Sequence, residues 1–327
     1  MTRSIQVVEE TFPIAGRFTI SRGSRTEIQV ISVTITEKIH KGRGECVPYP
    51  HFGENLDSVR KQIEDVSSII ENGGDRTKIN TAMSAGAARN AIDCALIDLE
   101  AKQSGCRAWE ILELPEPTEL ITAYTLSLGT AEEMGAAAQK ARDYALLKLK
   151  LGGIGDIERV SAVRESAPTT RLIVDANEAW SPEMVLPYSQ AFAELGIELI
   201  EQPLQPNDDH ILAEIPHHVP ICADESCHLS SDLNSLVGRY DLINIKLDKT
   251  GGLTEALKLA RAARAKGFDI MAGCMLGTSL AMAPAILIAA LADFVDLDGP
   301  LLLSKDRELP LVYSNSIIMP PTSELWG

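Results

Sequence analysis

The strongest constraint on this chain is a series of eight short apolar runs that begins at Leu120. They are LITAYTLS (120–127), LLKLKL (146–151), RLIVDAN (171–177), IELIEQP (197–203), VPICADE (219–225), LINIKLD (242–248), FDIMAGC (268–274) and FVDLDGP (294–300). Consecutive starts lie 22–26 residues apart, room for one strand, one helix and two short loops, so the connections are crossovers and the strands parallel. Eight parallel strands in series predict a closed barrel. Helix signals fill the gaps: Thr130 with Glu133 forms a capping box, and Ser181 with Pro182 opens a helix at its first position.

Upstream, alternation over 27–37 predicts a half-exposed strand, and the glycines at 42 and 44 a turn into a second strand at 45–47. Two helices follow, an amphipathic one over 56–71 and an Ala-rich, buried one over 83–103. Asp93 and Asp98 in the latter are read as structural partners of Arg89 and Lys102. No ninth unit follows residue 300. The predicted fold is α/β: an N-terminal α+β capping domain (1–115), a (β/α)7β TIM-like barrel (116–300) and a C-terminal segment (301–327) packing back on the cap.

Thirty Lys and Arg against forty-six Asp and Glu leave a net charge of −16, which repels nucleic acid and anionic lipid. The N-terminus has no apolar stretch of signal-peptide length, and the longest nearly apolar run, 280–292, is too short to span a bilayer and contains Pro284. Six cysteines without CxxC spacing read as reduced thiols. These features predict a cytoplasmic protein with no membrane or nucleic-acid partner and leave a homo-oligomer open.

In a parallel barrel the chemistry sits where strands give way to loops at the C-terminal mouth. Lys148 and Lys150 lie two apart, so both face the interior while Leu147, Leu149 and Leu151 face the helices. Runs three, four and five end in Asp175, Glu201 and Asp224. Three anions converging in a barrel need a compensating cation, and all-oxygen ligation with open positions suits one Mg2+. Lys246 on run six stands opposite Lys150. Two lysines flanking a metal-bound carboxylate could remove an α-proton from one face and return one to the other, the metal stabilising the enediolate. A basic lysine must be brought down toward ~7–8, which the neighbouring Lys148 and the metal charge can do.

The set Lys148-Leu149-Lys150, Asp175, Glu201, Asp224, Lys246 resembles the enolase superfamily in its muconate-lactonizing subgroup. Longer stretches are similar to the dipeptide epimerases of that subgroup: RGSRTE (22–27), GECVPYP (44–50), AGAARNAIDCALIDLEA (85–101), IVDANE (173–178), LIEQPL (199–204), PICADESCH (220–228), NIKLDKTGGLTEAL (244–257), GCMLGTS (273–279) and DLDGP (296–300). The resemblance covers nearly the whole chain. It implies a Mg2+-dependent 1,1-proton transfer at the Glu α-carbon of Ala-Glu dipeptides in cell-wall (murein) peptide metabolism. Asp175, Glu201 and Asp224 would be the metal ligands and Lys150 and Lys246 the acid/base pair. Thr125, Lys148, Cys274, Asp296 and Asp298 would hold the dipeptide. Asp296 and Asp298 have a reason of their own: alternation aims both carboxylates inward, where they would receive an α-ammonium. Arg22 and Arg25, on a loop resembling one that closes over the site, are candidates for the Glu side-chain carboxylate, and the sequence does not choose between them.

Other patterns carry less. GGIGD (152–156) lacks the third glycine of a dinucleotide loop. Cys222, Cys227 and His228 have the wrong spacing for zinc, and His217-His218 has no partner motif. A lactone- or succinylbenzoate-forming enzyme would share the lysines and metal but has no ammonium to place on Asp296 and Asp298. A silent binding barrel predicts degraded site residues, and a metal hydrolase needs a base such as His beside the metal; only His228 is near.

Overall fold

The computed structural model describes residues 3–327. Three antiparallel strands open the chain: β1 (Ser4–Ile20), β2 (Gly23–Glu37) and β3 (His40–Cys46). The pairing of β1 with β2 shifts register between Pro13 and Phe18. The turn into β3 is at Lys38, which takes a left-handed φ of 56°, so Gly42 and Gly44 are strand residues and not the turn that their spacing suggests. Their role is close approach. A Cβ at Gly42 would lie 2.0 Å from Ala95 O, and one at Gly44 2.1 Å from Ala91 O.

The helix they touch is the fourth of the cap, after α1 (Leu56–Asp65), α2 (Ser67–Glu71) and α3 (Arg76–Ala82); α4 spans Ala87–Ser104. The stretch expected as one helix over 56–71 is therefore broken at Val66. Buried on nearly every side, α4 packs its apolar residues against β2, β3 and α1. Asp98 pairs with Lys102 at 2.7 Å and also accepts from Arg43 N and Gly327 N. Asp93 does not pair with Arg89: it accepts from Thr254 N and Oγ1, while Arg89 donates to Thr250 O and Gly251 O. Both tie α4 to residues 250–254.

After α5 (Ala108–Ile111) and β4 (Leu120–Ile121), strands and helices alternate. The barrel strands are β5 (Tyr124–Leu126), β6 (Leu146–Lys150), β7 (Arg171–Asp175), β8 (Ile197–Glu201), β9 (Ile221–Ala223), β10 (Leu242–Ile245), β11 (Asp269–Gly273) and β12 (Phe294–Asp296), parallel and in sequential order. Ala123 N donates to Val295 O at 2.8 Å and brings the ends together. The crossovers are α6 (Ala131–Lys140), α7 (Asp156–Ser166), α8 (Pro182–Glu194), α9 (Leu233–Leu236), α10 (Leu247–Thr250), α11 (Leu253–Ala265) and α12 (Ser279–Ala289). The two shortest spacings, after runs four and five, leave room only for a 3-10 helix at Asp209–Glu214 and the single-turn α9. Thr130 and Glu133 form their capping box. Ser181 precedes Pro182 as expected, but its side chain makes no cap bond.

Alternation then sorts the barrel interior into layers. Ala123, Leu146, Ile173, Leu199, Cys222, Leu242, Met271 and Phe294 pack together as an apolar floor. Two residues further along each strand come Thr125, Lys148, Asp175, Glu201, Asp224, Asn244, Gly273 and Asp296, and two further again on three of them Lys150, Lys246 and Asp298. Residues 301–327 add the short pair β13 (Tyr313–Ser314) and β14 (Ile317–Ile318) against β4. The last residues lie on the cap, where Trp326 Nε1 donates to Cys94 O and Arg43 donates to Leu325 O.

Candidate active site

The polar layer is a mesh of ion pairs closed off from water by the floor beneath it. Lys148 Nζ, 1% exposed, lies 2.6 Å from Asp296 Oδ2, 2.6 Å from Glu201 Oε2 and 3.3 Å from Asp175 Oδ2. Lys150 reaches Asp175 Oδ2 at 2.5 Å, and Lys246 reaches Asp224 Oδ2 at 2.6 Å. β6 and β10 are four strands apart in an eight-stranded barrel, so these two lysines stand on opposite sides of its axis.

Asp175, Glu201, Asp224 and Asp296 are each turned onto a lysine ammonium. Among the described residues, no three of the Asp, Glu, His and Cys side chains close on a common point as a metal centre would. The donor chemistry nevertheless fits a hard divalent cation. Four buried lysines (Lys148, Lys150, Lys246, Lys249) face six buried carboxyl groups (Asp175, Glu201, Asp224, Glu225, Asp296, Asp298). Glu201 Oε2 touches Lys148 off the hydrogen-bond direction and has no donor of its own, and Glu225 Oε2 and Asp296 Oδ1 also lack one. Buried anionic oxygens without donors are costly unless a cation completes them.

The electrostatics follow from the pairing. Burial works to raise Asp175, but the ammonium groups of Lys150, Lys148 and Lys246 outweigh it and hold the carboxyl at about 2. Asp224 is likewise held well below the usual carboxylate range, against its burial, by Lys246 and Lys249. Burial and the Asp175 charge push Glu201 up. Burial opposes the charged form of Lys148 and Lys246, yet the carboxylates around them prevail and raise both. At Lys246 the charges of Asp224 and Glu201 thus outweigh both burial and the neighbouring Lys148, so its pKa is raised and not lowered. Burial, then the Asp296 charge, lifts Asp298 to about 7; burial, then Asp224 and Asp175, lifts Glu225 to about 7.

Above this layer a cavity opens between cap and barrel. Thr125, Lys148, Lys150, Asp224, Lys246, Cys274, Asp296 and Asp298 line it from the barrel, and Phe18, Ile20, Arg22, Arg25, Tyr49 and Phe52 from the cap. Asp175 and Glu201 lie beneath the lysines, off the cavity wall. Asp298 Oδ2 accepts from Thr125 N at 2.6 Å. The two arginines separate clearly. Arg22 is engaged by Glu178 at 2.9 Å, Glu225 at 2.8 Å, Asn177 O and Tyr49 OH. Arg25 stands over the Tyr49 ring at 5.5 Å.

Six residues around the site were not singled out from the sequence. Asn177, Glu178 and Glu225 hold Arg22 or line the mouth. Asn244 donates to Glu201 Oε1 at 2.7 Å, and Gly273 leaves it space, since a Cβ there would lie 2.5 Å from Asn244 Oδ1. The alternation that marks Lys246 as inward also marks Asn244, two residues before it. Lys249 sits on a helical turn outside that alternation, and no spacing signal points to it.

Residues 131–318 match the family described as "Enolase C-terminal domain-like", and residues 2–112 match "Mandelate racemase / muconate lactonizing enzyme, N-terminal domain". The chain belongs to the enolase superfamily. It is 45% identical to an L-Ala-D/L-Glu epimerase of Escherichia coli K12 over 95% of this chain and 98% of the relative. It is 44% identical to an N-acetyl-D-glutamate racemase of a Pseudoalteromonas species over 91% and 95%. A solved enolase family member from Agrobacterium tumefaciens, described as having homology to dipeptide epimerases and as holding sodium and L-Ala-L-Glu with an ordered loop, superposes with a TM-score of 0.97. It shares 51% identity over 99% of this chain and 100% of that one. A dipeptide epimerase from Enterococcus faecalis V583, complexed with Mg and L-Leu-L-Tyr, superposes with a TM-score of 0.92 at 30% identity over 100% and 99%. Within the superfamily the chain is an isomerase of the epimerase kind.

Proposed function

We propose that this enzyme interconverts L-Ala-L-Glu and L-Ala-D-Glu by 1,1-proton transfer at the Glu α-carbon, with one Mg2+ in the active site. We place it in the metabolism of murein peptides in the cytoplasm. The observation that carries the substrate assignment is the pair of carboxyl groups at one side of the cavity. Asp296 presents a buried oxygen with no donor beside Asp298, an arrangement suited to the free α-ammonium of an N-terminal residue. An N-acylated glutamate, the chemistry named for the Pseudoalteromonas relative, offers no cation there. The names of the Escherichia and Agrobacterium proteins support the same dipeptide. All six cysteines are free, and among the described residues no helix is long and apolar enough to cross a membrane.

Lys150 and Lys246 approach the α-carbon from opposite sides, and each can hold or take a proton there. Whichever abstracts must first give up its own proton while the other keeps its proton for return to the opposite face. Asp175 against Lys150 and Asp224 against Lys246 are the contacts that govern this state. Asp175, Glu201 and Asp224 would hold Mg2+, which offsets the charge that builds on the substrate carboxylate as the α-proton leaves. Arg25, stacked on Tyr49 and facing the cavity, would receive the Glu side-chain carboxylate, since Arg22 is already engaged by protein acids. Cys274 and Thr125 would border the bound dipeptide.

The test is proton NMR in D2O with each dipeptide and with N-acetyl-glutamate. The proposal expects loss of the Glu α-proton signal and growth of the second diastereomer for the dipeptides, abolished by chelator and restored by Mg2+. Faster exchange on N-acetyl-glutamate than on either dipeptide would refute the substrate assignment.

A further inference from the structure

Lys249 is buried to 2% exposure and lies outside the acid/base pair. Its ammonium sits among four oxygens: Asp224 O at 2.5 Å, Asp224 Oδ1 at 2.7 Å, Cys227 O at 2.9 Å and Asn244 O at 2.9 Å. It therefore grips the backbone and one carboxylate oxygen of Asp224, and at the same time the strand that carries Lys246. The other oxygen, Oδ2, faces Lys246 at 2.6 Å. The turn that holds Lys249 is itself clamped by the cap helix α4: Arg89 donates to Thr250 O at 2.6 Å, and Asn90 donates to Asp248 Oδ1 at 2.9 Å. Asp248 Oδ1 also accepts from Val47 N at 3.1 Å, at the cap edge of the cavity.

We propose that Lys249 is a positioning residue: it withholds Asp224 Oδ1, so that only Oδ2 is presented to the interior, and it thereby sets the geometry of Asp224 relative to Lys246. A buried lysine used only to fill space would be poorly placed among three carbonyls and a carboxylate, since deleting any one of these contacts is costly. Its effect is one-sided. Lys150 and Asp175, across the barrel, make no contact with it. The metal arm of the proposal rests on the reading of Asp224 as a ligand; the Lys246 arm does not.

The test compares Lys249→Met, and Lys249→Gln as a second variant that keeps two donors, with the unmodified enzyme. Thermal melting establishes that each is folded. Titration calorimetry with Mg2+ alone should show a dissociation constant raised by ~10–100-fold, as when partners of metal ligands are removed. In D2O with Mg2+, α-proton exchange should slow at least ~10-fold more for one dipeptide diastereomer than for the other, an asymmetry that a general loss of stability would not produce. The proposal is overturned by a folded variant whose Mg2+ affinity stays within ~3-fold of the unmodified enzyme, or whose two diastereomers slow in equal proportion. Failure of both variants to fold would overturn it in favour of a structural role alone. Absence of Mg2+ binding or of exchange in the unmodified enzyme would overturn the functional reading, and this proposal with it.

Discussion

Asp298→Asn should separate stability from substrate binding in opposite directions. In the folded protein, burial and the neighbouring Asp296 charge lift the Asp298 carboxyl from 3.8 to about 7, so the folded state holds this proton more tightly than the unfolded chain. A group with a raised folded pKa makes stability fall as pH rises between the two values. Between pH 5 and pH 7 the ceiling is two units at about 1.4 kcal/mol each, roughly 3 kcal/mol lost in the wild type and absent from the Asn variant. The Asn side-chain oxygen can still accept from Thr125 N, so the backbone contact survives. Urea unfolding should therefore show the variant gaining on the wild type as pH rises from 5 to 8. The same change removes a charged partner of the substrate ammonium worth about 1.5–3 kcal/mol, which raises KM for L-Ala-L-Glu by ~10–100-fold with a smaller change in kcat. A stability difference that does not move with pH, or an unchanged KM, would refute the reasoning.

Other substitutions test other links. Arg25→Met should raise KM for L-Ala-L-Glu by ~10-fold or more while leaving L-Ala-L-Leu nearly unaffected, since only the former offers a carboxylate to a guanidinium fork; steady-state kinetics on both dipeptides decide this. Gly44→Ala should destabilise the cap by about 1–3 kcal/mol or more, because its Cβ would lie 2.1 Å from Ala91 O in the backbone of α4. A lowered melting temperature with kcat/KM retained in the folded enzyme is the expected outcome, and an unchanged melt would count against the close packing.

Much of the barrel is legible in the sequence because its interior is built by strict alternation. Leu146, Lys148 and Lys150 step from floor to mouth on one strand, and Leu242, Asn244 and Lys246 do so on another. A two-residue period thus reveals both the apolar floor and the inward polar groups. The cap is less legible. β1 runs for 17 residues, but Pro13, Gly16 and the register shift beside them interrupt its pattern. Gly42 and Gly44 look like turn residues until α4 is placed against them, since what demands glycine there is a helix from elsewhere in the chain. Likewise Asp93 and Arg89 look like an i,i+4 pair but serve partners more than 150 residues away. Lys249 and Glu225 are hidden for the same reason: their importance comes from loops folded onto the strand ends, where no period operates. The raised pKa values of Lys148 and Lys246 were also beyond the sequence, because they depend on which carboxylate each ammonium meets.

The central claim is that Lys150 and Lys246 act on opposite faces of one α-carbon. It is tested most directly by Lys150→Ala and Lys246→Ala, each followed by proton NMR in D2O from pure L-Ala-L-Glu and pure L-Ala-D-Glu. The account predicts that both variants lose interconversion, and that each retains α-proton exchange in one diastereomer only, a different one for each variant. Full loss of exchange in both diastereomers from either single substitution, or retention of the same diastereomer by both variants, would contradict it.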